Sequence, residues 1–277
     1  MTHFLLTNDD GISAPGLWAA ARTLATLGSV LVVAPARDYS GYGPAHPPTR
    51  TLTYHPGGTN GHAIPHVTAY ALAGTPATCA HVGLSGAFSR QPIDLVVSGI
   101  NAGANLGHDV LYSGTVGAAL TAQLLGIPAI AVSLDYGGAG IAHWDAAGWA
   151  IRQVLGLWER RLDPAPLVFN VNVPNLPANA LAGTRMAHLA PEAFLTKYRF
   201  QHDSHDDHTI TVIRSDAPRA GTADPDSDVG ALARGYVAVT PLRPYPDLLH
   251  VSPWLEVETP ASLPSPTYSA VAALSPA

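Results

Sequence analysis

An α/β fold built on a largely parallel sheet is predicted by two features of the sequence. Short apolar runs alternate with segments whose apolar residues recur at helical spacing, and polar or glycine-containing breaks fall between them. The first run, residues 3–7, breaks at Asn8-Asp9-Asp10-Gly11. Leu17, Ala20, Ala21, Leu24 and Leu27 then recur at helical spacing up to Gly28, so a buried strand, a loop and a helix follow in turn. Residues 30–34 are a second β-branched run ending at Pro35. The resulting βαβ unit implies parallel strands with right-handed crossovers. Thr75-Pro76 reads as an N-cap with proline at the first helical position, opening a helix towards Phe88, and residues 93–98 form the next strand. A helix over 113–125 ends at Gly126, a strand follows over 129–134, and Ile151, Val154, Leu155, Trp158 and Leu162 mark the buried face of the next helix.

The second half is less regular. Strand-like runs at 167–173, 209–213 and 236–240 are separated by polar and proline-containing stretches, as expected for strands added to an α/β core. Residues 198–213 read as a long hairpin with a polar tip, an arm able to grip another subunit or to lie as a surface flap. Residues 259–277, rich in Pro, Ser and Ala, read as a flexible tail in preference to a segment docked on a partner chain. The expected organisation is one domain over 1–258, with its core in 1–175 and the hairpin and arm in 184–258.

Over 277 residues, 47% hydrophobic content with 12% charged supports a well-filled core. A net charge of -6, scattered arginines and a single lysine, Lys197, argue against a nucleic-acid polymer as partner. Cys79 is the only cysteine, which excludes an internal disulfide and suits a buried apolar position. No basic segment followed by an apolar stretch opens the chain, and no apolar run approaches the roughly 20 residues needed to span a bilayer. The expectation is a cytoplasmic protein without membrane attachment.

In an open parallel sheet the binding crevice lies at the carboxyl ends of the strands where their order reverses. Three polar segments should open there: Asn8 to Gly11, Pro35 to Gly41, and Gly99 to Asn105. Two adjacent carboxylates at the end of a buried strand repel each other, and a divalent ion between them resolves the conflict. Asp9, Asp10, the Ser40 hydroxyl and the Asn101 amide oxygen would supply four hard oxygen ligands suited to Mg²⁺ or Mn²⁺. Taken alone, Asp-Asp-Gly is also an ordinary turn with an N-cap. Tyr112-Ser113-Gly114-Thr115-Val116-Gly117 leads straight into a helix, so its hydroxyls and free N–H groups form an anion site, or simply a cap. It lacks the Gly-Lys-Ser/Thr ending of a Walker loop.

The segment Leu5-Leu6-Thr7-Asn8-Asp9-Asp10-Gly11-Ile12, with Ala14-Pro15-Gly16, resembles the N-terminal signature of the SurE family of acid-phosphatase-like 5'/3'-nucleotidases. Later blocks agree in order: Ala34-Pro35 to Ser40-Gly41, Val97 to Gly103 with Asn105-Leu106-Gly107, Tyr112 to Val116, Asn170-Val171-Asn172-Val173-Pro174, and Gly235-Tyr236-Val237 to Thr240-Pro241-Leu242. The resemblance implies one divalent ion per subunit, Mg²⁺ or Mn²⁺, on Asp9, Asp10, Ser40 and Asn101, with Asn105, Ser113, Gly114 and Thr115 binding phosphate. It further implies a Rossmann-like core with helices on both faces, an extended β-hairpin and a C-terminal arm used in homodimers or homotetramers. The substrates it implies are nucleoside 5'- or 3'-monophosphates and, in some members, short polyphosphate. Catalysis would then be in-line attack of water on phosphorus, with Asp9 or Asp10 accepting its proton.

The departures from the family fall on the substrate side. Tyr42-Gly43-Pro44-Ala45-His46-Pro47-Pro48 replaces a hydroxyl-rich stretch, and His108 stands before Asp109 in place of an acidic pair. His108 reads as a surface residue or a phosphate contact. His202, His205 and His208, interleaved with Asp203, Asp206 and Asp207, read as a solvated hairpin tip in preference to a second metal site. Two other function classes share some of these features. A calcium-dependent nucleoside hydrolase would need the longer Asp-x-Asp-x-x-x-Asp-Asp cluster that residues 7–16 lack, and a non-catalytic nucleotide-binding oligomeric module would bind without releasing phosphate.

Overall fold

Alternating apolar runs close into a nine-stranded sheet of order β3-β4-β2-β1-β5-β6-β7-β11-β8. The computed structural model describes residues 1–48, 50–57, 63–138, 140–160, 168–191, 198–202, 209–214 and 224–244. The strands are β1 (Thr2–Thr7), β2 (Gly28–Pro35), β3 (Tyr54–Pro56), β4 (Val67–Leu72), β5 (Leu95–Ala102), β6 (Ala129–Asp135), β7 (Val168–Pro174), β8 (Gly183–Met186) and β11 (Tyr236–Leu242). The run from β4 through β7 is parallel, β3 pairs antiparallel to β4, and β11 pairs antiparallel to β7 and parallel to β8. Because both faces are covered, the central strands are buried almost throughout, which is why they read as continuous apolar runs.

Helices α1 (Pro15–Ala25) and α4 (Trp144–Arg160) pack on one face, where Leu17, Leu24, Ile151 and Val154 join Leu6, Val32, Val97 and Val132 in one apolar cluster. Helices α2 (Pro76–Leu84) and α3 (Gly114–Leu124) cover the other, where Cys79, Val116 and Ala119 meet Leu5, Leu31 and Val96. Cys79 is buried and free, with burial raising its thiol pKa, in line with its reading as an apolar filler. Helix α2 stops at Leu84, short of Phe88, because Gly86, just past the C-cap Ser85, turns the chain out at φ +82, and the Ser85 hydroxyl bonds back to the Val82 carbonyl (2.7 Å). Phe88 instead stacks on Tyr70, with ring centroids 4.3 Å apart.

Strand β5 runs past Ser98 to Ala102, although glycine at 99 marks a break in the sequence. Gly99 sits at φ +132 in an irregularity that skips Ile100, so pairing with β6 resumes at Asn101 opposite Ser133. The predicted hairpin is present as β9 (Tyr198–His202) paired antiparallel with β10 (Ile210–Arg214). Its tip, with His205, His208 and Asp203, Asp206 and Asp207, lies outside the described residues, as do Leu162 and the tail over 259–277. The short helix α5 (Asp228–Ala233) precedes β11. Among the described residues no helix is long and apolar enough to cross a membrane.

Candidate functional site at the ends of β1 and β5

From β1 the chain steps outward to β2 and β4, then returns to place β5 on the other side of β1. The strand order therefore reverses between β1 and β5, and Asp9 and Asp10 follow β1 at that switch point. Neither aspartate caps a helix: Ala14 precedes α1 with no side-chain cap, and Pro15 occupies its first turn. The loop is instead held by Asn8 Nδ2 donating to the Gly11 carbonyl (2.9 Å), the Ile12 amide donating to Pro35 (2.8 Å), and the Trp18 indole donating to Ile12 (2.8 Å).

Asp9 points into the protein, 3% exposed. One carboxylate oxygen accepts the Thr115 amide (3.1 Å) and the other the Thr115 hydroxyl, so the start of α3 is docked on this side chain. Gly114 makes that approach possible, since a Cβ there would fall 2.8 Å from Asp9 Cβ and 3.0 Å from its Oδ2. Asp10 turns the other way and accepts the Ala102 amide (3.2 Å), beside Asn101 at the end of β5. The Asn101 amide donates to the Gly103 carbonyl (2.7 Å), leaving its oxygen as the free acceptor.

The loop after β2 completes the corner. The Tyr39 amide donates to the Asp9 carbonyl (2.8 Å), and next to it Ser40 donates its amide and its hydroxyl to Asp38 Oδ1, each at 2.7 Å. The Gly43 amide donates to the Tyr112 carbonyl (3.0 Å), tying the loop to the residue before Ser113. Ser113 itself caps α3, its hydroxyl accepting the Val116 amide (3.1 Å). Asn105 is fixed on the far side: its amide donates to Asn172 Oδ1 (2.8 Å), its carbonyl accepts from Asn170 and Asn172, and its side chain donates to the Ser133 hydroxyl (2.8 Å). His108 is exposed in the turn that follows.

Electrostatically the corner is overloaded with negative charge. Burial raises the Asp9 pKa above 3.8, against the lowering effect of the Thr115 bonds, and the Asp38 charge adds to the rise. Asp10 is pushed up to about 7, first by burial and then by the Asp9 charge. Among the described residues no Lys or Arg side chain forms an ion pair with Asp9, Asp10 or Asp38. Nor do three His, Cys, Asp or Glu side chains converge tightly enough to hold an ion on their own, so a cation here would need the neutral oxygens of Ser40 and Asn101. Two carboxylates lacking a cationic partner, with hydroxyl and amide oxygens alongside, fit a hard divalent ion.

The family model for survival protein SurE matches residues 4–195. The chain belongs to the SurE family. Over 92% of its length it is 40% identical to the 5'-nucleotidase SurE of Nitrosococcus oceani, covering 98% of that protein. It is 37% identical to the 5'/3'-nucleotidase SurE of Serratia proteamaculans, over 87% of this chain and 90% of that one. The crystal structure of the SurE protein from Aquifex aeolicus superposes with a TM-score of 0.74 at 32% identity, covering 89% of this chain and 95% of that one.

Three features of this SurE-family corner went unassigned in the sequence. Asp38 lies inside a recognised block, yet its carboxylate grips Ser40 and loads charge onto the aspartate pair. Asn170 and Asn172, two amides on one face of β7, anchor Asn105; their i, i+2 spacing inside an apolar strand was the available signal. Asp228, fully buried at the start of α5, accepts the amides of Gly107 (2.8 Å), Ala190 (2.9 Å) and Val229 (2.8 Å), and it has no local signature at all.

Proposed function

We propose that this chain is a divalent-metal-dependent phosphomonoesterase that hydrolyses nucleoside 5'-monophosphates, and 3'-monophosphates, to nucleoside and phosphate, with short polyphosphate as a further substrate. The observation that carries the reading is the juxtaposition of the buried Asp9 and the half-buried Asp10, both lacking a cationic partner, with the N-terminus of α3, at the switch point of the sheet. The names of the relatives, 5'-nucleotidase and 5'/3'-nucleotidase, point to the same activity.

Asp9, Asp10, Ser40 and Asn101 would hold one Mg²⁺ or Mn²⁺ per subunit. When bound, the ion supplies positive charge for the phosphate and acidifies water. Asp9 and Asp10 are the candidate proton acceptors for the attacking water. Asn105, Ser113 and Gly114 orient the phosphoryl oxygens, Thr115 joins them where the ion draws Asp9 away from its amide and hydroxyl, and the positive end of α3 stabilises the charge that develops there. Docking of Thr115 on Asp9 keeps the anion site and the acid pair in fixed register. The exposed Phe200, Ile210 and Val212 on the hairpin support its use as a contact in a homodimer or homotetramer.

The test is phosphate release from a panel of 5'- and 3'-monophosphates and polyphosphate, with Mg²⁺, Mn²⁺ or chelator. Phosphate should appear only with metal, and Asp9→Asn should abolish turnover with the fold intact. Free base in place of phosphate, or metal-dependent turnover surviving in Asp9→Asn, would contradict the assignment.

A further inference from the structure

We infer that Tyr42, in the loop that sets this chain apart from its family, is the stacking platform for the nucleobase, and that it gives the enzyme a preference for purine nucleotides. The inference rests on the nucleotidase reading above. A nucleotide whose phosphate lies at the start of α3 must lay its nucleoside over the adjoining rim, and that rim carries exposed aromatic surface. Tyr42 is 53% exposed and Tyr112 52%, and the two are joined through the Gly43 amide on the Tyr112 carbonyl. Tyr42 stands two residues after Ser40 and Tyr112 directly before Ser113, so one borders the proposed metal position and the other the proposed phosphate position.

The ring of Tyr42 is braced. It packs T-shaped against Tyr39 with centroids 5.0 Å apart at 76°, and the Arg37 guanidinium lies 4.7 Å over the Tyr39 ring. Further along, the loop is pinned where Thr75 Oγ1 donates to the Ala45 carbonyl (2.6 Å) and where His46 Nε2 meets His81 Nδ1 (3.0 Å). A half-exposed aromatic side chain held in one orientation loses little freedom when a flat ring stacks on it. Stacking needs no charge complementarity, which suits a corner whose fixed charges are acidic, and purines, with the larger π-face, gain most.

The test compares full-length Tyr42→Ala and Tyr42→Phe with the unaltered enzyme, using AMP, CMP and ribose 5-phosphate in Mn²⁺. Tyr42→Ala should raise KM for AMP on the order of tenfold, raise that for CMP less, and leave ribose 5-phosphate, which has no base, unchanged. Tyr42→Phe should behave as the unaltered enzyme. An equal loss on AMP and ribose 5-phosphate would mean that Tyr42 acts through Ser40, and no loss on either would mean it touches nothing; both overturn the inference. A change of oligomeric mass in Tyr42→Ala, by light scattering, overturns it in favour of a subunit contact. If the unaltered enzyme releases phosphate from none of the three, the nucleotidase reading fails and takes this one with it.

Discussion

Stripping divalent ions and then raising the pH from about 5 to about 8 should destabilise this protein, the reverse of the usual behaviour of a paired carboxylate. Asp10 is the lever. In the folded chain its pKa is raised from 3.8 to about 7 by burial and by Asp9. A carboxyl with a raised pKa favours the folded state while protonated, so its contribution is complete below pH 3.8, declines as pH rises, and is gone above about 7. The shift corresponds to roughly a thousandfold in proton affinity, a ceiling of about 4 kcal/mol. Partial solvent access and the counter-effect of the Ala102 amide reduce this, and about 2 kcal/mol is a reasonable expectation. For a domain of this size that is a fall in Tm of about 4–8 °C, readable by scanning calorimetry in chelator. Asp9, raised in the same direction, adds to it. Saturating Mn²⁺ at the higher pH should restore the loss, because a ligand bound only by the folded state stabilises it. Asp10→Asn should lose the Asp10 share of the pH dependence, keeping only the smaller slope due to Asp9, and, in chelator at about pH 8, be more stable than the unaltered chain. A metal-free Tm that stays level or climbs across this interval would refute the claim that uncompensated charge is stored at Asp9 and Asp10.

Two further substitutions probe how the corner is built. In Gly114→Ala the new Cβ would meet Asp9 Cβ at 2.8 Å; overpacking of about 1–3 kcal/mol should outweigh a helix-propensity gain below about 1 kcal/mol. Displacing the start of α3 should cost about a hundredfold in kcat/KM, and unchanged phosphate release would show that the contact yields freely. In Asp228→Asn the amide oxygen can keep the Ala190 and Val229 amides while its NH₂ opposes the Gly107 amide, releasing the loop that carries Asn105. KM for AMP should rise severalfold, whereas Ser227→Ala, which removes the α5 cap on Gly230, should lower stability by about 1 kcal/mol and leave KM alone; equal effects of both on KM would reduce Asp228 to a general support.

The parts of the site that were legible in the sequence are those where a polar group interrupts a buried strand. The run through Leu5 and Leu6 is fully buried and turns polar at Asn8-Asp9-Asp10, and what sequence leaves open there is an ordinary turn with an N-cap against a metal site. Periodicity ends the strand at Ser98 and leaves Asn101 in a loop, because Gly99 reads as a stop and no periodic pattern represents a ladder that skips one residue and resumes. Thr115 shows a different limit. Its hydroxyl reads as a free donor in sequence, and only the packing of α3 against β1 assigns it to Asp9. Asp228 was invisible for a third reason: the amides that justify its burial come from its own neighbour and from segments 38 and 121 residues away, and no local pattern carries that information.

The two motifs that looked separable, the acid pair and the helix N-terminus, are one device. An isolated helix start binds anions through unfilled amides and the helix dipole. Here the Thr115 amide and hydroxyl are already spent on Asp9, and the positive end of α3 is faced by a carboxylate. A phosphate brought to Ser113 and Gly114 alone would therefore meet two aspartates, with Asp38 behind them, and would be repelled. Arg37, the cationic residue in the neighbouring loop, is turned onto Tyr39. On the proposed reading, a cation between the aspartates and the substrate removes that repulsion. The corner's burial of unpaired charge, which costs stability in the metal-free protein, is the same feature that would make phosphate affinity depend on the ion.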